Sequence, residues 1–226
     1  MSLYAEGISK VYFRKTGEAN HFEAVRKTDL KLESGRVTVL MGRSGSGKTT
    51  LLHMLAGLLQ PTEGRVLLEG EDLYALDDRA LSRLRNEKIA VIPQGRSAVE
   101  TLTVRENILL PGALYGRAIP AAEAERRMEE LGIAALADSR PRELSGGELR
   151  RMAICRALCR RPEVLLADEP TGDLDDGNTE RVLEMLRDTA RAGTAVLLVT
   201  HENGAIRYGD VLLRMDAGRV EETVAF

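Results

Sequence analysis

The chain has 226 residues, 30% of them charged, and its bases and acids nearly cancel to a net charge of −3. That length suits one globular α/β unit, and the charge balance argues against a nucleic-acid or membrane surface held by charge. The longest stretch without a charged side chain, Thr49–Thr62, is shorter than the roughly 18 apolar residues a membrane span requires, so no spanning helix is expected.

No basic segment followed by an apolar one opens the chain, so no signal peptide is expected and the cytoplasm is the expected compartment. Cys155 and Cys159 stand four apart in a helix-like stretch without a His or third Cys nearby, and they read as reduced core residues rather than metal ligands.

Residues 3–12 alternate loosely and predict a first strand ending near Tyr12. A polar loop over 14–21 follows, then a second strand over Glu23–Leu32, and together the strands make an antiparallel edge before the main core begins at Gly35. Tyr12 is either an ordinary strand aromatic or a platform on which an adenine stacks.

Val37–Met41 is short, apolar and β-branched, as a buried parallel strand should be, and Thr50–Leu58 reads as a buried helix. Between them Gly42-Arg-Ser-Gly-Ser-Gly-Lys-Thr-Thr50 fits the spacing Gly-x4-Gly-Lys-Thr. Gly42, Gly45 and Gly47 permit positive φ, so backbone N–H groups can turn inward on an anion at the positive end of the following helix. Lys48 then reaches the β- and γ-phosphates of a nucleotide, and the Thr49 hydroxyl is placed for Mg²⁺.

Pro61–Gly64 predicts a turn, Arg65–Glu69 a strand, Gly70–Asp72 another turn, and Asp78–Glu87 an amphipathic helix. Lys88–Pro93 is strand-like and ends at Gln94. That side chain stands either at the ligand-binding edge of a parallel sheet or in a solvated loop. Thr103–Leu114 and Pro120–Leu131 predict helices, the second with Pro in its first turn, and strand patterning is absent between Gln94 and Leu144.

Leu144-Ser-Gly-Gly-Glu148 opens a further helix over Leu149–Arg160. Ser145 and Glu148 satisfy a capping box, while Gly146 and Gly147 cost helix stability and leave N–H groups bare for an anion. Glu163–Ala167 predicts a buried strand ending in Asp168 and Glu169. The first acid is placed for Mg²⁺ opposite Thr49, and the second to orient and polarise a water for in-line attack on a γ-phosphate. A turn over 171–175 and a helix to about Arg191 follow. Thr194–Thr200 is another buried strand, with His201 at its end as a γ-phosphate contact, and short strands over Val211–Met215 and Arg219–Glu222 close the chain.

In this order the motifs resemble the ATP-binding subunit of ABC transporters over nearly the whole chain, with Leu144–Glu148 matching the family's signature. The resemblance implies a single domain over 1–226: an α/β P-loop NTPase core with a mainly parallel sheet, an N-terminal antiparallel β edge and an α-helical subdomain inserted at about 95–160. It implies that Gly42, Arg43, Ser44, Gly45, Ser46, Gly47, Lys48, Thr49 and Thr50 bind ATP and that Tyr12 stacks on its adenine. Thr49, Gln94 and Asp168 would hold Mg²⁺, and Glu169, His201 and Gln94 would serve catalysis, with Glu169 as general base.

Ser145, Gly146 and Gly147 would act on the nucleotide of a second copy, in a head-to-tail nucleotide-sandwich dimer. A separate transmembrane permease subunit would seat the chain on the inner face of the membrane, docking at Gln94 and the helical insertion, and no nucleic acid is implied. Met41-Gly42, Gly70–Leu73, Glu106-Asn107 and Ala167–Gly172 are similar to the branch that serves lipoprotein release, macrolide efflux and cell division, which implies an exporter, a force-transmitting complex, or a non-transport regulator of a membrane protein. Arg43 stands where the family usually has Pro, Asp173 where it has Asn, and Glu202 where it has Asp. Gly95–Glu100 lacks the aromatic and Leu-Leu-Pro pattern common in that branch.

Overall fold

The computed structural model describes residues 2–13 and 21–225. The polar loop expected at 14–21 falls outside them, apart from His21, which opens a strand. In chain order the strands are β1 (Ser2–Phe13), β2 (His21–Glu33), β3 (Val37–Met41), β4 (Glu63–Leu68), β5 (Glu71–Asp72), β6 (Ile89–Ile92), β7 (Val164–Asp168), β8 (Ala195–Thr200), β9 (Val211–Asp216) and β10 (Arg219–Ala225). The helices are α1 (Lys48–Leu55), α2 (Asp78–Lys88), α3 (Val104–Leu114), α4 (Ala121–Glu130), α5 (Gly146–Leu158) and α6 (Asp176–Arg191).

The strands form two sheets. An antiparallel one runs β2-β1-β4-β5, and a six-stranded one runs β10-β9-β3-β8-β7-β6, parallel throughout except for the β9–β10 pair. Every residue of β3, β7 and β8 is buried, which explains why these strands read as unbroken apolar runs rather than alternating ones. Alternation survives in which core each side chain enters. Val37, Val39, Leu165, Ala167, Val196 and Leu198 pack on the side of α3 to α6, whereas Leu40, Val164, Leu166, Leu197 and Val199 pack on the side of α1 and the antiparallel sheet. α1 fills the space between the two sheets with Leu51, Leu52, Met54 and Leu55, none of which is exposed, so truncating one of these leucines to alanine should cost about 2–5 kcal/mol.

Several boundaries differ from expectation for local reasons. Glu63 and Gly64 belong to β4 rather than to a turn, because the ladder with β1 resumes at Ser9↔Glu63 beyond a bulge. Glu71 and Asp72 form a short strand against Leu67 and Leu68 instead of a turn. Pro120 is the N-cap of α4 rather than a first-turn residue, and α5 begins at Gly146, with Ser145 as its N-cap. Among the described residues no strand lies between β6 and β7. α3, α4 and α5 occupy that span and bury Val104, Ile108, Ala124, Met128, Leu149 and Met152 in one core. No helix among the described residues is long and apolar enough to cross a membrane.

The register fixes where chemistry can occur. Met41 pairs with Thr200, Asp168 with Val199, and Ile92 with Ala167, so β3, β8, β7 and β6 end level with one another. The turn after β3, Glu169 after β7, His201 after β8 and Gln94 beyond β6 therefore leave the sheet at one carboxyl edge, where open parallel sheets bind ligands.

Candidate active site

The turn from β3 into α1 is shaped by two glycines in the left-handed region, Gly45 at φ +79° and Gly47 at φ +107°. Gly42 does not share that conformation, contrary to expectation. A Cβ there would stand 2.4 Å from the Met215 carbonyl oxygen and 2.8 Å from Ser46 Oγ, so it is close approach to the end of β9 that requires glycine. Gly47 is the N-cap of α1 and offers no side-chain bond, and the first turn carries no acid, so its N–H groups and the positive end of the helix remain available to an anion. Lys48 is 6% exposed, and its ammonium donates to the carbonyls of Gly42 at 2.8 Å and Arg43 at 2.9 Å, curled over the loop it would share with phosphate.

In the first turn of α1, Thr49 donates its hydroxyl at 2.7 Å to Oδ2 of Asp168, at the end of β7, two strands from β3. Asp168 is 2% exposed, and burial pushes its carboxyl above the usual range; the Thr49 hydroxyl opposes that shift and the adjacent charge of Glu169 adds to it. Glu169 adopts φ +47°, a left-handed backbone unusual for a side chain of its size, while its N–H stays on the Val199 carbonyl at 2.8 Å. Such a conformation costs on the order of 1 kcal/mol and turns the chain sharply at the sheet edge.

Nδ1 of His201 lies 3.0 Å from Glu169 Oε1. A neutral imidazole donating there has no second N–H for a phosphate oxygen, so contact with phosphate requires either the doubly protonated ring or release of Glu169. Just beyond, Thr171 donates to Glu202 Oε2 at 3.0 Å, tying the turn after β7 to the turn after β8.

Ser44, Gly45, Gly47, Lys48, Thr49 and Thr50 line a cleft of about 550 Å³, faced by Tyr12, Phe22 and Ala24 from the antiparallel sheet and by Gln94 and Glu169 from the sheet edge. Gln94 is thus at the edge rather than in an unrelated solvated loop. Gly42, Arg43 and Ser46 form the loop without lining the cleft; Ser46 is buried, and its carbonyl accepts from Gly218 N–H at 3.0 Å. Tyr12 is 39% exposed, with Lys10 Nζ 5.6 Å from its ring centroid. Phe22 sits opposite Tyr12 in the β1–β2 register and escaped the sequence-based expectations. Its position across a short hairpin from Tyr12 was the available signal, because cross-strand partners share a face.

Ser145, Gly146 and Gly147 do not line that cleft. Ser145 caps α5 as expected, donating its N–H at 2.7 Å and its hydroxyl at 2.8 Å to Glu148, whose carboxyl those two bonds hold below the usual range. Gly146 lines a second cleft of about 290 Å³ together with Gln94 and Asp173. A Cβ on Gly147 would stand 3.1 Å from the Asp173 carbonyl oxygen, whereas Gly146 has ordinary clearance. Cys155 and Cys159 are buried free thiols with sulfurs 3.9 Å apart, the small core residues expected of them.

A Gly-rich turn, an uncapped helix end, a buried lysine and a hydroxyl–carboxylate pair linking that helix to the end of β7 define a P-loop NTPase. The family model for ABC transporters matches residues 25–172. The lipoprotein-releasing system ATP-binding protein LolD of Aquifex aeolicus is 39% identical over 222 residues, covering 96% of this chain and 95% of that one. A dimeric structure of the bacterial ABC transporter cassette MJ0796 superposes with a TM-score of 0.89 at 31% identity, covering 99% of this chain and all of that one. A post-hydrolysis dimer of MJ0796 bound to ADP and Pi likewise gives 0.89 at 30% identity over 99% of this chain. The chain belongs to the ABC transporter family, as an ATP-binding subunit that hydrolyses ATP.

The oxygen donors at the sheet edge suit a hard divalent cation: the Thr49 hydroxyl, the buried Asp168 carboxylate and the Gln94 amide lie on the same edge, and Asp168 holds a charge that its burial disfavours.

Proposed function

We propose that this chain powers an exporter or a force-transmitting membrane complex by closing on ATP as a head-to-tail dimer and opening after hydrolysis. The observation that carries the reading is the row Asp168–Glu169–His201 across the adjacent ends of β7 and β8, joined through Thr49 to an uncapped helix N-terminus. Its own residues divide the work. The loop N–H groups and Lys48 hold the phosphates, Tyr12 with Phe22 receives the base, and Glu169 accepts the proton of the attacking water. His201 holds Glu169 in position until the γ-phosphate competes for the imidazole. Thr49, Asp168 and Gln94 would hold Mg²⁺, which when bound supplies neutralisation of the charge that builds on the transferring phosphoryl group.

Head-to-tail pairing is supported by the Ser145–Gly147 turn, which opens a helix with two glycines yet does not line this chain's own cleft. The described dimers of MJ0796 and the likeness to lipoprotein-releasing subunits support a dimer seated in the cytoplasm on a permease. We assign residues of about 95–160 to an inserted helical subdomain within the single domain 1–226, with the permease contact at its Gln94 end.

The test is light scattering of Glu169→Gln with and without Mg-ATP, alone and with the co-expressed membrane subunit. A doubling of mass that depends on ATP and is abolished by Gly146→Trp supports the pairing. A dimer that survives Gly146→Trp, or no ATP-dependent association in either preparation, overturns it.

A further inference from the structure

Arg150 stands in the second turn of α5 with its side chain 6% exposed, and its carboxylate partner among the described residues is the largely exposed Asp173, at the long end of ion-pair distance. Its guanidinium donates to two successive backbone carbonyls, Pro93 O and Gln94 O, both at 2.5 Å. Asp173 Oδ2 lies 3.5 Å away, on a side chain that is 61% exposed. A guanidinium buried mainly against carbonyl dipoles is costly where an apolar side chain of similar length would pack without that cost, so stability alone does not account for it. What the charge supplies is direction. One rigid planar fork on two consecutive carbonyls fixes both the position and the rotation of the peptide between them.

That peptide carries Gln94, which lines the ATP cleft on one side and the cleft beside Gly146 on the other. One helical turn further along α5 than Met152, Arg156 takes hold of the same segment, donating to Ser97 O at 2.7 Å and Ser97 Oγ at 2.5 Å. The segment 93–97 is therefore fastened to the helix that Ser145 caps, in addition to its covalent continuity with β6.

We propose that Arg150 is a positioning residue for hydrolysis: it sets the placement of Gln94 at the ATP cleft from the position of α5, so that a shift of the Ser145–Gly147 end of that helix is passed to Gln94. This rests on the role of Gln94 given above. Its thermodynamic content is a coupling between Arg150 and Gln94 that depends on the fork, not on the charge alone.

The experiment uses the full chain, with its membrane subunit where that is needed for turnover, as Arg150→Met, Arg150→Lys, Gln94→Ala and the Arg150→Met/Gln94→Ala double variant. Tryptic cleavage after the exposed Arg96, followed by mass spectrometry, reads local opening of the segment, with the other tryptic sites as internal reference. Arg150→Met is expected to speed cleavage at Arg96 by about tenfold relative to those sites, and Arg150→Lys by an intermediate factor, since a point charge cannot span both carbonyls.

In steady-state hydrolysis Arg150→Met should lower kcat about tenfold with KM within about twofold, yet lower it by less than about twofold when Gln94 is already Ala. Cleavage at Arg96 that rises only in step with every other site reveals a purely structural residue and overturns the proposal, as do kcat losses that multiply. If Gln94→Ala leaves kcat unchanged while Arg150→Met still opens Arg96 selectively, Arg150 fixes the segment and the role assigned to Gln94 is what fails.

Discussion

Gly45 and Gly47 lie two residues apart in the phosphate loop, and replacing each with alanine separates two physical reasons for glycine. At Gly45, φ is +79° and a Cβ would meet nothing within 4 Å, so Gly45→Ala incurs only the left-handed penalty of roughly 1–2 kcal/mol. At Gly47, φ is +107° and the Cβ would stand 2.1 Å from the Ala24 carbonyl oxygen, so β2 or α1 must move by about 1 Å to reach an ordinary contact. Overpacking of that kind adds about 1–3 kcal/mol. For a domain of this size each kcal/mol lowers Tm by roughly 2–4 °C. Gly47→Ala should therefore melt about 2–12 °C below Gly45→Ala in scanning calorimetry without nucleotide. Gly47→Ala should also lose the rise in Tm on adding Mg-ATP, because the displaced element is either the helix end or the wall behind it. Equal melting points for the two variants would refute the assignment of Gly47 to close approach.

Asp168→Asn keeps an oxygen for the Thr49 hydroxyl and removes a charge that burial disfavours, so the nucleotide-free protein should melt higher than the parent while stabilisation by Mg-ATP is lost, both read by calorimetry. Because the folded carboxyl titrates above its unfolded value, ionisation opposes folding at neutral pH. The parent should thus gain on Asp168→Asn as pH falls from 7 through that raised value, and the gap should close below it. Glu148 has the opposite sign: its folded value is lowered, so its capping contribution is present above the unfolded value of about 4.3 and is lost as pH falls through the folded one. Glu148→Gln should accordingly be less stable than the parent at pH 6 and converge with it as pH falls below the folded value, in urea titrations. Glu169→Gln should retain ATP binding by equilibrium dialysis and lose at least about 100-fold in phosphate release, whereas Lys48→Ala should lose binding itself; hydrolysis at the parent rate by Glu169→Gln would remove it from the role of base.

The parts of the site visible in the sequence were those whose chemistry is local. Gly-x4-Gly-Lys-Thr between an apolar strand and an apolar helix, two acids at a strand end, and Ser145 three residues before Glu148 each state their geometry within about ten residues. Gly42 misled because the reason for glycine there lies at Met215, 173 positions further on, and only folding brings the two together. Arg150 was missed for the same reason, since it reaches the backbone of Pro93 and Gln94, 57 and 56 residues away. Phe22 was missed although it pairs with the nearby Tyr12, because the second strand was expected to begin only at Glu23. An arginine on an apparently amphipathic helix reads as a solvated charge until its carbonyl partners are known.

The strand that carries the phosphate loop has an awkward position in time. β3 is flanked on one side by β8 and on the other by β9, which begin at residues 195 and 211. During synthesis, at about 5–20 residues per second, Val37–Met41 would wait of the order of ten seconds or more for either ladder partner. Until then a strand whose every residue ends up buried has no hydrogen-bonded neighbour, and a nascent chain long enough to contain the whole 25–172 family match still cannot build its central sheet. Both ladders of β3 therefore form only with the C-terminal strands, and a chain interrupted before β8 leaves β3 unpaired, a species that favours aggregation.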